Sequence, residues 1–586
     1  MRSNRLILLL VAITLEIAAR SHAQDQYPII LEKNVAMKTR DGVTLRADIY
    51  RPRSAGKFPV LLNRTPYNKR GDYSYLDSVV STAAKGYVCI IQDTRGRFAS
   101  DGDWAPFKYE SPDGYDTVEW AAALPYANGR VGMFGGSYMG ATQMLAAIAT
   151  PPHLVCIFPV ATASNYYGHW VYHSGPFELL FSQFWCSLQS IHEVERRVAK
   201  AIFSPEHWDR KRPLADYPLI EPGTAVGLPS YNYYSEWLAH PTYDDYWKQW
   251  SIEEHYAQIT VPALHFAAWY DLFQDGSIRN YEGIKKHGGS EAARKGQRLV
   301  IIPGGHAGPG LKLGEVDFGG KVPDLDEWAM GQRWYDYLLK GIDTGIAREK
   351  PVKIFVMGKN IWRDEDDWPL ARAQSTRYYL HSEGKANMLT GDGMLSTARP
   401  AAEPADKYVY DPEDPTPTHG GAILGLPAGP LDQRLVEARS DVLVFTTPVF
   451  QQDLEVTGPV SLEIYVSSSA VDTDFTGKLV DVWPNGFAQN LTNGIVRMCY
   501  RNSREKAELM NPGEIYKLTV DLWSTSNVFL AGHKLRLEIA SSDFPRFDRN
   551  LNTGAGSVNS TAHIPATNVI YHDQDHPSAL ILPVVP

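Results

Sequence analysis

Three short and nearly continuous apolar runs, Phe58–Leu62, Val88–Gln92 and Val131–Phe134, are separated by segments of helical length such as Tyr115–Ala123. Runs of this kind need cover on both faces. Strands alternating with helices supply it by building a mostly parallel sheet between two helical layers. Ahead of these runs, residues 34–53 alternate polar and apolar around Arg40-Asp41-Gly42, which predicts an opening hairpin. Residues 165 to about 250 break the rhythm, being rich in Trp and Tyr with helical patterns, and they predict an insertion. Strand and helix resume at Val261–Ala268 and Arg298–Pro303 and close with a helix over about Leu325–Leu339. Beyond Pro351 the pattern is all-β: Val460–Val466 and Lys534–Ala540 alternate polar and apolar residues between stretches rich in Gly, Pro, Asn and Asp. The expected organisation is a discontinuous α/β domain over 24–160 and 255–350, a helical cap over 161–254 and a jelly-roll β-sandwich over 351–586. A chain of 586 residues is indeed too long for a single core.

The first residues read differently. Arg2 and Arg5 precede an apolar run from Leu6 to Leu15, and Ser21-His22-Ala23 forms a small-x-small site, the pattern of a cleaved export signal over 1–23. An uncleaved anchor would need about 20 apolar residues, and Glu16 interrupts the run. A secreted or periplasmic protein without a membrane anchor is expected. Cleavage removes three Arg and one Glu, which moves the formal charge from −10 to −12. So acidic a protein repels nucleic acid and anionic lipid, and small or neutral substrates suit it better. Cys89, Cys156, Cys186 and Cys499 are too few and too scattered for a disulfide scaffold or a zinc site. Neither a zincin motif nor a Gly-rich phosphate loop occurs, so no metal and no organic cofactor is expected. The pattern leaves assembly into a homo-oligomer open.

Chemistry concentrates at Val131-Gly132-Met133-Phe134-Gly135-Gly136-Ser137-Tyr138-Met139-Gly140, which runs into the helix-prone Ala141–Ala149. Small residues at a strand-to-helix turn hold a Ser hydroxyl up, and the helix N-terminus favours developing negative charge, as in a nucleophile elbow. The second Gly stands three residues after Ser137 rather than two, and a Gly-rich turn carrying a Ser is often merely structural. A Ser hydroxyl needs a base within reach, and the base needs an acid to orient it. In such a sheet both follow the nucleophile, in loops at the carboxyl ends of strands. The run Ala263–Ala268 ends in Trp269-Tyr270-Asp271, and Leu299–Ile302 ends in Pro303-Gly304-Gly305-His306. Asp271 and His306 are therefore the expected acid and base. Asp275 is the rival acid, four residues farther from the strand end; His265 lies within a strand and His287 in a polar turn. Acyl transfer also needs donors for an oxyanion. The Tyr138 N–H is one. Tyr67, in the loop after the strand ending at Leu62, is the second candidate, although its position alone fits ordinary packing as well.

Together Thr65-Pro66-Tyr67, Asp93-Thr94-Arg95-Gly96-Arg97, Gly136-Ser137-Tyr138-Met139-Gly140, Trp269-Tyr270-Asp271 and Gly305-His306 resemble the bacterial cocaine esterase and X-prolyl dipeptidyl peptidase family of serine hydrolases, over roughly residues 30–580. In that family Tyr follows the Ser and the Gly comes three residues after it. The resemblance implies an α/β-hydrolase domain, an inserted helical cap and a C-terminal jelly roll. It implies the triad Ser137, His306 and Asp271, with the Tyr67 hydroxyl and the Tyr138 N–H as oxyanion hole. It also implies that Trp170, Trp185 and Phe273 wall an acyl pocket, where cap aromatics would otherwise read as core. Asp93, Arg95 and Arg97 read as loop-holding groups rather than a substrate clamp. Related amino-acid ester hydrolases place a Glu-Asp pair soon after the catalytic Asp to hold a substrate ammonium, whereas this chain has Leu272-Phe273-Gln274. That speaks against an α-amino acyl substrate.

The expected activity is hydrolysis of a small-molecule carboxylic ester through an acyl-enzyme. Amide or peptide cleavage, as in the X-prolyl peptidases or the cephalosporin acylases, uses the same site and is the alternative. Those peptidases often carry an extra N-terminal helical domain. A third reading, an inactive secreted carbohydrate-binding protein, has the intact triad and oxyanion positions against it.

Overall fold

A computed structural model describes residues 26–586, apart from 72–75, 191–232 and the single positions 307, 311, 321, 323, 324, 557 and 559. The expected leader and the middle of the expected cap lie outside these residues. The opening hairpin pairs β1 (Ile29–Lys38) with β2 (Thr44–Pro52). The sheet continues with β3 (Phe58–Thr65), β4 (Val88–Asp93), β5 (Ala127–Gly136), β6 (Leu154–Val160), β7 (Leu264–Tyr270) and β8 (Arg298–Gly305). Two further strands, β9 (Val352–Val356) and β10 (Ile361–Glu365), finish it, in the spatial order β1-β2-β4-β3-β5-β6-β7-β8-β9-β10. Neighbours from β4 to β9 run parallel.

Side chains alternate between the faces of a strand. Val60 and Leu62 of β3 therefore enter one core with α2 (Glu110–Ala122) and α3 (Tyr138–Ile148). Leu61 between them faces α1 (Leu76–Ala84) and the long helix Glu327–Lys340 on the other side. Between β6 and β7 the described part of the insertion includes the helices α4 (Leu179–Ser190) and α5 (Tyr233–Ala239), both packed on the first core.

Two strands beyond the boundary expected at residue 351 pair with the first sheet. β9 pairs in parallel with β8, Val352 opposite Leu299, and β10 extends the same sheet to Glu365. Val352, Ile354, Phe355 and Val356 are all fully buried, as a strand covered on both faces requires. Strand texture alone does not say which sheet a strand joins. Among the described residues the all-β domain proper has eleven strands, from Gln374–His381 to Ala579–Val585, and includes Leu454–Ser468 and Lys534–Ala540 over the two alternating runs. All four cysteines are buried. Among the described residues no helix is long and apolar enough to cross a membrane.

Candidate active site

The turn between β5 and α3 holds Ser137 at φ 59° and ψ −125°, a conformation that costs a non-Gly residue roughly 1–3 kcal/mol. Neighbouring groups enforce it. The Ser137 N–H donates to the Val160 carbonyl at 2.9 Å, and the Ser137 carbonyl accepts from the N–H groups of Gly140 and Ala141 at 2.9 and 3.0 Å. The Thr162 hydroxyl donates to the same carbonyl at 3.0 Å. Gly135 has φ +128°, and a Cβ there would lie 2.6 Å from Asn63 Nδ2 and 2.7 Å from Met139 Cβ. A Cβ on Gly140 would lie 2.8 Å from Thr162 Cβ. The Gly three residues after Ser137 thus serves the close approach of α3 to the segment that follows β6.

The β8 loop brings His306 Nε2 to 3.0 Å from Ser137 Oγ, and His306 Nδ1 lies 3.1 Å from Asp271 Oδ1 at the end of β7. Asp271 is fully buried. Its Oδ1 also accepts the Phe273 N–H at 2.7 Å, whereas Oδ2 has no hydrogen-bond partner among the described residues. Asp275 takes no part. It sits in the first turn of α6 (Gln274–His287), paired with Arg279 Nε at 2.6 Å and His169 Nδ1 at 3.2 Å. His265 is a buried core residue, 2.8 Å from Gln297 Oε1, and burial pushes its pKa down to about 4. His287 is exposed at the end of α6.

Two donors flank Ser137. The Tyr67 phenol stands close enough to Ser137 for that side chain to favour its ionised form, yet burial dominates and pushes the phenol up to about 12, so it keeps its proton at neutral pH. Tyr138 is the first residue of α3, where a backbone N–H has no helical carbonyl behind it. Its own phenol points elsewhere, donating to Glu110 Oε1 at 3.0 Å and accepting the Phe107 N–H at 2.9 Å. Burial raises the Glu110 carboxyl above the usual range.

Three aromatic residues expected in the pocket converge here. Trp170 stacks on Phe273 with ring centroids 4.4 Å apart, and Phe273 meets the His306 ring edge-on at 5.2 Å. Trp185 lies 5.5 Å from Trp170 and stacks on Tyr138 at 5.8 Å. It does more than wall the site, since its indole N–H donates to the Tyr67 hydroxyl at 3.0 Å. Nothing in the local sequence links residues 118 positions apart. Asp93, Arg95 and Arg97 are buried structural groups, yet they do not pair with one another. Asp93 binds Lys69, Arg95 binds Asp41 and Asp113, and Arg97 donates to the Pro66 and Gln189 carbonyls. Among the described residues no group of His, Cys, Asp and Glu is arranged to hold a metal ion.

A parallel sheet that hands a strained Ser to a helix, facing a His and an Asp from the ends of two later strands, defines a serine hydrolase of the α/β-hydrolase fold. Comparison with known proteins narrows the class. Residues 41–308 match the X-Pro dipeptidyl-peptidase (S15 family) model, and residues 344–581 match the X-Pro dipeptidyl-peptidase C-terminal non-catalytic domain. The chain is 37% identical to cocaine esterase of Rhodococcus sp. (strain MB1 Bresler), over 94% of this chain and 98% of that protein. Its fold resembles the crystal structure of an aminopeptidase from the marine sediment archaeon Thaumarchaeota archaeon (25% identity, TM-score 0.82, 96% and 97% of the two chains). It also resembles that of an α-amino acid ester hydrolase (24% identity, TM-score 0.80, 96% and 97%). The chain belongs to the X-Pro dipeptidyl-peptidase (S15) family of serine hydrolases, in which esterases and peptidases both occur.

Proposed function

We propose that this protein hydrolyses a carboxylic ester with an apolar acyl group, through an acyl-enzyme on Ser137. The observation that carries the reading is the continuous relay from Ser137 Oγ to His306 Nε2 at 3.0 Å and from His306 Nδ1 to Asp271 Oδ1 at 3.1 Å. His306 takes the hydroxyl proton as Ser137 attacks the carbonyl carbon, and the buried Asp271 carboxylate stabilises the resulting imidazolium. The carbonyl oxygen becomes an oxyanion, which accepts from the Tyr67 hydroxyl and the Tyr138 N–H. When the tetrahedral adduct collapses, His306 returns the proton to the leaving alcohol. Water then attacks the acyl-enzyme by the same steps in reverse, with His306 again as base.

Three features support ester over peptide. Trp170, Trp185 and Phe273 offer an apolar wall. Among the residues that follow Asp271, the Asp275 carboxylate is already paired with Arg279 and His169, which leaves it no part in holding a substrate ammonium. The similarity to a cocaine esterase points the same way. The family also contains peptidases, so the test compares both. Initial rates are measured on p-nitrophenyl butyrate and on Gly-Pro-p-nitroanilide, each repeated with Ser137→Ala. Ester turnover lost in the variant supports the reading. Faster anilide cleavage would make the protein a peptidase, and ester turnover surviving in the variant would exclude Ser137. Fluorophosphonate labelling that disappears in Ser137→Ala would exclude an inactive binding protein. We also propose export with cleavage before Gln24, which N-terminal sequencing of the mature protein checks.

A further inference from the structure

We propose that Trp185 is a positioning residue: its indole N–H sets the direction in which the Tyr67 phenol donates, which makes the cap helix α4 part of oxyanion stabilisation. The proposal rests on the ester-hydrolase reading, and in particular on Tyr67 as an oxyanion donor.

A phenol oxygen carries one proton and two acceptor lone pairs, whereas an indole N–H only donates. Conjugation keeps a phenol O–H near the plane of its ring, so the proton chooses between opposite in-plane directions. The Trp185 Nε1–H, 3.0 Å from the Tyr67 oxygen, occupies one of them. The proton is left the other direction, and the Ser137 side chain is near enough to act on the phenol's pKa. The indole therefore fixes the direction of the donor before any substrate arrives, as preorganised stabilisation requires. Donation into the phenol oxygen also polarises its O–H and strengthens the bond that the phenol gives. In agreement, the Trp185 contact acts to lower the phenol pKa against the larger effect of burial.

Trp185 could not direct a proton if it were itself loose. It is 3% exposed, stacked between Tyr138 at 5.8 Å and Trp237 at 6.0 Å, with Trp104 at 5.8 Å. The spacing between its helix and the Tyr67 loop has a clamp of its own. The Arg97 guanidinium donates to the Pro66 carbonyl, next to Tyr67, at 2.9 Å. It also donates to the Gln189 carbonyl and Oε1, at the end of α4, at 3.0 and 3.2 Å. One buried side chain thus ties the phenol's loop to the indole's helix.

A wall and a positioning residue respond differently to mutation. We would measure kcat and KM on p-nitrophenyl acetate, butyrate and benzoate for the wild type, Trp185→Phe, Tyr67→Phe and the double variant, with active sites counted by fluorophosphonate titration. Trp185→Phe keeps an aromatic ring and loses the N–H, and should lower kcat about tenfold on all three esters with KM little changed. Tyr67→Phe should lower kcat about 10²–10³-fold. The double variant should be no slower than Tyr67→Phe, because the indole acts only through the phenol. Losses that multiply in the double variant, or that grow from acetate to benzoate, would overturn the proposal and leave Trp185 a wall. Full activity in Tyr67→Phe would overturn the oxyanion assignment as well, while loss of activity in Ser137→Ala would still uphold the nucleophile. Should Trp185→Phe fail to fold, Arg97→Lys loosens the same spacing without touching either ring. Its loss of kcat should vanish in the Tyr67→Phe background, and persistence there would overturn the proposal equally.

Discussion

Replacing Asp271 by Asn tests how the acid works as well as which residue it is. Both hydrogen bonds accepted by Asp271, from the Phe273 N–H at 2.7 Å and from His306 Nδ1 at 3.1 Å, fall on Oδ1, and Oδ2 is buried without a partner among the described residues. An Asn side chain has one favourable orientation in this setting, with its carbonyl at the Oδ1 position. The reverse would set an NH2 group against the Phe273 N–H. His306 therefore keeps its proton on Nδ1, and the variant loses the carboxylate charge rather than the tautomer. Two unit charges about 4 Å apart at an effective dielectric near 20 interact by about 4 kcal/mol. That corresponds to about 10³ in rate. The amide dipole retains part of it, so kcat on p-nitrophenyl butyrate should fall about 10²–10³-fold, short of the roughly 10⁴ that a wrong tautomer costs. The Asn NH2, buried at the Oδ2 position, should lower stability by about 1–3 kcal/mol. Saturation kinetics corrected by fluorophosphonate titration give the number. A loss below about tenfold would remove Asp271 as the acid, and a loss of about 10⁴ would refute the orientation argument.

Other residues carry further expectations. Asp275→Asn should leave kcat within about threefold of the wild type, because its carboxylate faces Arg279 and His169 rather than His306; a loss comparable to that of Asp271→Asn would reverse the assignment. Gly135→Ala should destabilise the protein and abolish fluorophosphonate labelling, since a Cβ 2.6 Å from Asn63 Nδ2 at φ +128° cannot be accommodated without moving Ser137; normal labelling would show the elbow to be softer than its geometry. His265 has its folded pKa lowered to about 4 by burial, so between an unfolded value near 6.5 and about 4 the unfolded chain binds more protons, and stability falls as pH drops through that window. His265→Gln should show a shallower fall of Tm over the same range, and an unchanged slope would mean that other groups set it.

The strands of the sheet were legible because parallel strands covered on both faces leave continuous apolar runs, and the loops at their carboxyl ends follow from the fold. The same rule gives the places of Ser137, Asp271 and His306, widely separated in the chain, which lie within hydrogen-bond reach in sequence from Ser137 to His306 to Asp271. The limits have physical causes. β9 and β10 resemble their all-β neighbours in texture, and only pairing with β8 assigns them to the first sheet. The bond from Trp185 to Tyr67 and the reach of Arg97 to Gln189 join segments whose proximity comes from packing of the cap, and the Glu110 carboxyl meets the Tyr138 phenol where α2 packs on α3. No period of 2 or 3.6 residues records such contacts. The Gly at position 140 departs from the commoner spacing for an equally local reason, the approach of α3 to Thr162.

On the proposed mechanism these contacts give the accessory domains a defined part in the chemistry. The strained backbone of the proposed nucleophile, Ser137, is held by Val160 at the end of β6 and by Thr162 just beyond it. The acid depends on the all-β domain as well. Tyr270, just before Asp271, donates its phenol to the Asn490 carbonyl at 3.0 Å, and Gln274, just after it, donates to the Ser524 carbonyl at 2.7 Å. Arg279, farther along α6, reaches Asp521 at 3.0 Å. The loop that presents Asp271 is thus fastened on both sides to a domain that contributes no member of the triad. The phenol beside Ser137 is fastened in the same manner to the cap, through Trp185 and Arg97. Catalytic groups must be held to within a fraction of an ångström, and loops at the ends of strands lack that rigidity unless something braces them. Here the braces come from the inserted and appended domains.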